Sequence, residues 1–189
     1  MTLYRCFAWN RRAKSKEPDG PLWFPRSLQG EGRHDNPDLY GCLYLAERDV
    51  SAVVEQLARF RSQRLTASLL QRRGLPLAIA NLDLSDPARL IDLDDPAVLL
   101  RGGLRPSIVA TRQRVLTQPQ ARTLFERNRN ANGLRWWSTY EAAWMNVTLF
   151  DRASARLRVE SVRELAIDDV TVIEATEFLG LISARPGRR

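Results

Sequence analysis

The sequence predicts one α+β domain, and three observations carry that expectation. Segments of strand-like apolar character alternate with segments of helical period in no repeating order, unlike a regular βαβ series. No internal repeat and no composition shift divides the 189 residues, a length that allows one sizeable core. The hydrophobic fraction of 44% and the charged fraction of 27% are ordinary for a globular chain.

The elements follow in order. Residues 2–8 read as a first strand carrying Tyr4 and Phe7. Residues 9–38 have no periodicity and are rich in Gly, Pro, Arg and Lys; a loop this long in a compact domain is functional or disordered. Trp23, Phe24 and Pro25 within it predict that part of it packs. Residues 41–46 read as a second strand. Residues 50–62 read as a helix with Asp49 as N-cap, because Val50, Val53, Val54, Leu57 and Phe60 recur at helical spacing. A further helical turn is expected over 67–73, strands over 75–84 and 88–93, and a short helix over 95–100. Thr117 near the cap and Pro119 in the first turn predict a helix over 117–128. Strands are expected over 135–138, 147–150 and 156–162. A last helix, 167–179, is started by Asp168 and Asp169 and stopped by Gly180. The domain is read as residues 1–182, followed by a disordered basic tail, 183–189, with Arg185, Arg188 and Arg189.

Composition narrows the classes of function. No apolar run approaches the ~20 residues of a membrane span, and the N-terminus lacks the pattern of a secretory signal. A cytoplasmic protein is therefore expected. The only cysteines are Cys6 and Cys42, too few for a disulfide framework. With a single histidine, a Cys/His zinc site is not expected. Lys and Arg number 29 against 22 Asp and Glu, a formal charge of +7, and nearly all the cations are arginines. Arginine forms forked hydrogen bonds to phosphate and carboxylate. The charge alone leaves open a nucleic acid, a phosphorylated small molecule or an acidic protein.

Arg33, Tyr44 and Glu55 stand eleven positions apart, and Ser138 lies far downstream. Each has an ordinary reading. Arg33 in a polar loop is a solvated charge, and Tyr44 in an apolar strand is core. Glu55 lies opposite the apolar stripe of its helix, so a role there requires another segment to fold over it. Ser138 satisfies a backbone group. Trp136 and Trp137 alternate faces of a strand, one in the core and one beside a pocket. The lone His34 is expected in solvent, and Cys6 and Cys42 as small core residues. Asp92, Asp94 and Asp95 read as a solvated turn, and Gly102-Gly103 is too short for a phosphate loop.

Several stretches, in this order and spacing, resemble the RES domain family, named for its arginine, glutamate and serine. They are Leu3-Tyr4-Arg5, Gly32-Arg33, Tyr40-Gly41 and Leu43-Tyr44-Leu45-Ala46, then Ala52-Val53-Val54-Glu55, the segment 133–138, and Asn146-Val147-Thr148-Leu149-Phe150. There are departures: His34-Asp35-Asn36 follow Arg33 where the family usually has an aromatic residue and asparagine, and Trp136-Trp137 precede Ser138 where tyrosine–proline is common.

The resemblance implies an ADP-ribosyltransferase-like fold, with mixed central sheets flanked by helices. It implies cleavage of the nicotinamide–ribose bond of NAD by hydrolysis or phosphorolysis, with no cofactor beyond NAD as substrate and inorganic phosphate as a possible co-substrate. It further implies a toxin paired with an Xre-like antitoxin and reaching nucleic acid only through it. Glu55 would hold a ribose hydroxyl and stabilise the oxocarbenium-like centre. Arg33, with Arg5, would grip the pyrophosphate. Tyr44 would stack on nicotinamide or position the ribose, and Ser138 would hydrogen-bond the ribose or amide. One alternative is ADP-ribosyl transfer to a protein. Another is a non-enzymatic module binding nucleic acid or a partner; scattered arginines and the lack of a helix-turn-helix weigh against it.

Overall fold

A mixed eight-stranded sheet forms the centre of the computed structural model, which describes residues 1–84 and 89–182. The expected tail, 183–189, and the first residue of the strand expected over 88–93 lie outside them. The strands are β1 (Thr2–Ala8), β2 (Cys42–Ala46), β3 (Gln71–Arg72), β4 (Leu75–Leu84), β5 (Leu90–Asp92), β6 (Gly133–Trp137), β7 (Met145–Phe150) and β8 (Leu157–Glu164). Their order is β3-β4-β1-β2-β7-β6-β5, with β8 also pairing β4. β5 and β6 run parallel and every other pair antiparallel. The helices are α1 (Asp49–Leu57), α2 (Pro96–Gly102), α3 (Pro106–Val109), α4 (Arg114–Arg127) and α5 (Val170–Leu179). No helix among the described residues is long and apolar enough to cross a membrane.

Most elements lie where periodicity put them, and the differences have local causes. The helix expected over 50–62 leaves α-geometry after Leu57 and ends in a 3-10 turn, Ala58–Phe60. Arg48, not Asp49, holds its N-cap position. The Asp49 carboxylate instead accepts from Val50 N and from Thr171 Oγ1, tying α1 to α5. The helix expected from Thr117 starts at Arg114, so Pro119 lies inside it. Thr117 is buried and spends its hydroxyl on the carbonyl of Arg33, at 2.5 Å. Of the turn expected over 67–73, only Ala67–Leu70 is helical, and the rest is β3. Asp95 and Asp169 cap α2 and α5 by accepting from Ala97 N and Thr171 N. Gly180 closes α5 at φ 66°, a left-handed conformation that disfavours a Cβ.

Strand alternation gives the sheet two unlike faces. One carries Leu3, Phe7, Leu43, Leu45, Val147 and Leu149, a core closed partly by Leu22 and Phe24 of the long loop. The opposite face has two apolar centres. Cys6 and Ala46 pack under α1 and α5 at one end. Cys42, Leu134, Trp136 and Phe150 pack beside Leu99 of α2 and Leu124 of α4 at the other. A cavity opens between these two centres.

Candidate active site

The site begins with the loop before β2. The Asp35 carboxylate accepts from Gly30 N and Gly32 N, both at 2.8 Å, and from the Tyr44 hydroxyl at 2.6 Å. That hydroxyl in turn accepts from His34 N at 2.9 Å. Gln118 of α4 donates to the carbonyls of Gly30 and Gly32. Only glycine fits at position 32, because a Cβ there would stand 2.4 Å from Tyr44 Oη. The loop's backbone groups are thus satisfied by side chains of two elements, which fixes the direction in which Arg33 leaves the chain.

Arg33 lies over the indole of Trp136, 4.4 Å from guanidinium carbon to ring centroid. Its Nη2 donates to the carbonyl of Thr111, while Nη1 is buried without a partner. Desolvation lowers its pKa, opposed by the negative charge of Glu55. Such an orphaned charged donor is rare in a folded protein.

Across the cavity, α1 presents Glu55. Its Oε1 accepts from Ser138 Oγ and from Asn146 Nδ2, each at 3.0 Å. The residue opens to solvent along one side, yet protein surrounds most of the carboxylate. This desolvation raises its pKa; the two hydrogen bonds and the field of Arg33 and Arg112 act in the opposite direction. The segment required to fold over Glu55 is present: Glu31, Gly32 and Arg33 wall the cavity together with Arg112, Thr139 and Tyr140.

The cavity measures about 590 Å³ and is lined by Tyr4, Tyr44, Glu55, Trp136 and Asn146 on its inner side. That size suits a small-molecule site. Arg33, Arg59, Arg72, Arg112 and Arg114 also line it, against Glu31 and Glu55. Arg114 is paired with Glu31, and Arg112 lies over Tyr140 at 4.1 Å. A larger cavity of about 810 Å³ lies over β5 between α2, α3 and α4. Its carboxylates are already engaged, Asp92 by Arg135 and Asp95 by the α2 cap, so it lacks a free acid facing a cation.

Four of the five expected site residues therefore meet: Arg33, Tyr44, Glu55 and Ser138. Tyr44 takes part by shaping the loop, since its hydroxyl already has a donor and an acceptor; burial and Asp35 raise its pKa well above the ordinary value. Ser138 is buried and connects Glu55 to the turn at Tyr140 N.

Arg5 does not join them. Tyr4 and Cys6 face the cavity, so alternation sends Arg5 to the other face of β1. There it donates to the carbonyls of Gly20, Pro21 and Trp23 and holds down the long loop. His34, expected in solvent, is buried, with Nδ1 2.7 Å from Thr148 Oγ1, which also accepts from Trp136 Nε1. Burial and the adjoining Arg33 hold its pKa well below the usual histidine value. Cys6 and Cys42 are buried as expected, and burial pushes the Cys6 thiol up to about 12. Trp136 is the cavity-facing member of its pair.

Sequence reasoning gave no role to Asn146, Asp35 or Arg112. The only signal for Asn146 was an amide in an otherwise apolar strand; for Arg112 there was none.

Comparisons with known proteins agree with this geometry. The RES domain profile matches residues 2–169. Among solved structures, a chain of the M. tuberculosis MbcT–MbcA toxin–antitoxin complex superposes with a TM-score of 0.58 at 17% identity, covering 95% of this chain and 88% of that one. At that identity the likeness shows the fold alone. No curated protein matches the sequence. With a profile match over most of its length, the chain belongs to the RES domain family.

Proposed function

We propose that the protein cleaves the nicotinamide–ribose bond of NAD and acts as the toxin of a toxin–antitoxin pair. One observation carries the reading. Glu55, oriented by two donors, shares a cavity with the guanidinium of Arg33, whose Nη1 has no protein partner. A pyrophosphate bound where Arg33 lines the cavity meets the charge of that guanidinium, and a carboxylate opposite it reaches a ribose.

Nicotinamide is a neutral leaving group once the bond breaks, because it carries positive charge in the substrate. Departure needs no general acid, so one carboxylate suffices where glycosidases use two. Glu55 stabilises the positive charge developing at the ribose and holds a ribose hydroxyl through its free oxygen. Arg33, itself seated on the indole of Trp136, fixes the pyrophosphate, and the ring of Tyr44 borders the space for a flat ring of the substrate. Arg59, Arg72 and Arg112 make no ion pair with a described residue and exceed what two phosphates require. That excess favours an anionic acceptor, inorganic phosphate, over water. The toxin role draws on family membership and on the fold shared with a chain of a toxin–antitoxin complex.

The test is nicotinamide release from NAD by purified protein, with and without inorganic phosphate, beside Glu55→Ala. Release that requires phosphate and falls by at least about 10³-fold in the variant is expected. Release without phosphate assigns a hydrolase. No release from folded protein under either condition removes the NAD reading.

A further inference from the structure

Glu55 is held by Asn146, a side chain that begins one of the stretches resembling the RES family but to which the sequence reading gave no role. Asn146 lies on β7, opposite Ala46 of β2 and Trp136 of β6, and is 2% exposed. Its Nδ2 donates to Glu55 Oε1 at 3.0 Å, and its Oδ1 accepts from Ser51 Oγ at 3.1 Å. Ser51 and Glu55 are four residues apart on α1 and so share one face of it. The amide spans that face. A carboxylate only accepts, so Nδ2 must face Glu55 and Oδ1 must face Ser51. The Ser51 hydroxyl, fully buried, donates to Oδ1 and holds the far end of the amide in the orientation that the carboxylate sets.

We infer that Asn146, locked by Ser51, is a positioning residue for Glu55: it pins Oε1 against β7 and leaves Oε2 as the only carboxylate oxygen free to meet a ligand. Ser138 donates to the same oxygen from the β6 side. Among the described residues Oε2 has no hydrogen-bond partner. Without Asn146, one donor remains on Oε1 and the carboxylate can rotate about its last torsion, exchanging its two oxygens. The clamp also explains a hydrogen-bonded amide in the middle of an apolar strand, where desolvation requires that every polar atom be satisfied.

The inference rests on the NAD reading for its consequence in catalysis but not for its geometry, and the experiment separates the two. The Glu55 carboxyl is titrated by carbon-13 NMR in protein labelled at glutamate and assigned with Glu55→Gln. The charged groups facing it are Arg33 and Arg112, with Tyr140 beside them. Loss of a donor to the ionised form raises the titration midpoint. Asn146→Ala is expected to raise it by about one pH unit and Ser51→Ala by less. In the same variants, kcat for nicotinamide release is expected to fall about tenfold and twofold, with KM little changed.

A residue that merely supports the fold would lower the melting temperature and move neither readout. Unchanged titration in both folded variants overturns the clamp. A moved titration with unchanged kcat overturns its role in the reaction. A moved titration in a protein that never releases nicotinamide supports the clamp and removes the NAD reading instead. Should Asn146→Ala not fold, Ser51→Ala decides by the same signs.

Discussion

Arg5 and Arg33 lie on opposite faces of one sheet, and each has lost most of its water. Arg5 recovers it in full. Three loop carbonyls accept from its guanidinium and Phe7 lies 4.9 Å from its centre, while burial lowers its pKa to about 10. Arg33 recovers only part, keeping one carbonyl, one indole face and a buried Nη1 with no acceptor. Desolvation of a guanidinium therefore does not distinguish the two arginines; the unfilled donor does. The fully satisfied arginine is a fastener of the loop 9–38, and the partly satisfied one faces the cavity.

The largest effect expected from this contrast is a crossed result between two alanine variants. Arg33→Ala should reduce nicotinamide release about 10²–10³-fold, as for loss of a charge-stabilising donor, with thermal stability nearly unchanged. Arg5→Ala should do the reverse. It strands three loop carbonyls and should cost about 3 kcal/mol, a fall in melting temperature of roughly 6–12 °C. Turnover per folded molecule should stay within about threefold. Rates and thermal unfolding on both variants check this. Lost turnover in a fully stable Arg5→Ala would place Arg5 in the reaction after all.

A smaller effect sharpens the contrast from the backbone side. If the loop around Gly32 aims Arg33, moving it by a fraction of an ångström should matter. A Cβ at position 32 would meet Tyr44 Oη at 2.4 Å and Asp35 Oδ1 at 2.6 Å. Gly32→Ala is thus expected to cost about 1–3 kcal/mol of stability and to lower kcat/KM about tenfold. Wild-type turnover in this variant would show that Arg33 is not aimed by its own loop.

The same two arginines show what the chain discloses before it folds. Helical period located α1, and its stripe put Glu55 on the outward face. That much follows from residues near one another in sequence. Arg5 also fits the RES pattern, though less closely than Arg33 because a long loop separates them, and the parity of β1 relative to the cavity decided between them. The parity was legible once Tyr4 or Cys6 was known to face the site, but which face holds the site depends on pairing β1 with β2 and β2 with β7, a long-range property. His34 was misplaced for a similar reason. Its loop is polar, yet Thr148 and Trp136 from two distant strands close over it. Asn146 reaches Glu55 only through tertiary contact and Arg112 acts on it only through space, so an amide within its strand was the sole local mark of the first and the second had none. Family resemblance brought Arg33, Tyr44, Glu55 and Ser138 together where local physics could not, and it was silent about which face each occupies.

The smallest expected effect concerns His34, which separates the filled from the unfilled arginine environment by pH. Burial and the charge of Arg33 hold its pKa well below the ordinary 6.5, so the folded protein keeps the ring neutral. Between the folded value and 6.5 the unfolded chain binds more protons than the folded one. Stability from this group is therefore fully present above pH 6.5 and is lost as pH falls towards the folded value, by at most about 1.4 kcal/mol per pH unit. Glu55 has the opposite sign: its raised pKa gives stability below 4.5 that is lost as pH rises through the folded value. Comparing wild type with His34→Gln cancels the Glu55 contribution, because both proteins retain it. Denaturant unfolding between pH 5 and 7 should show a shallower slope in the variant, whatever its absolute stability. Equal slopes would mean that the ring titrates normally, which would contradict first its burial against Thr148 and Trp136 and then the charge of Arg33 beside it.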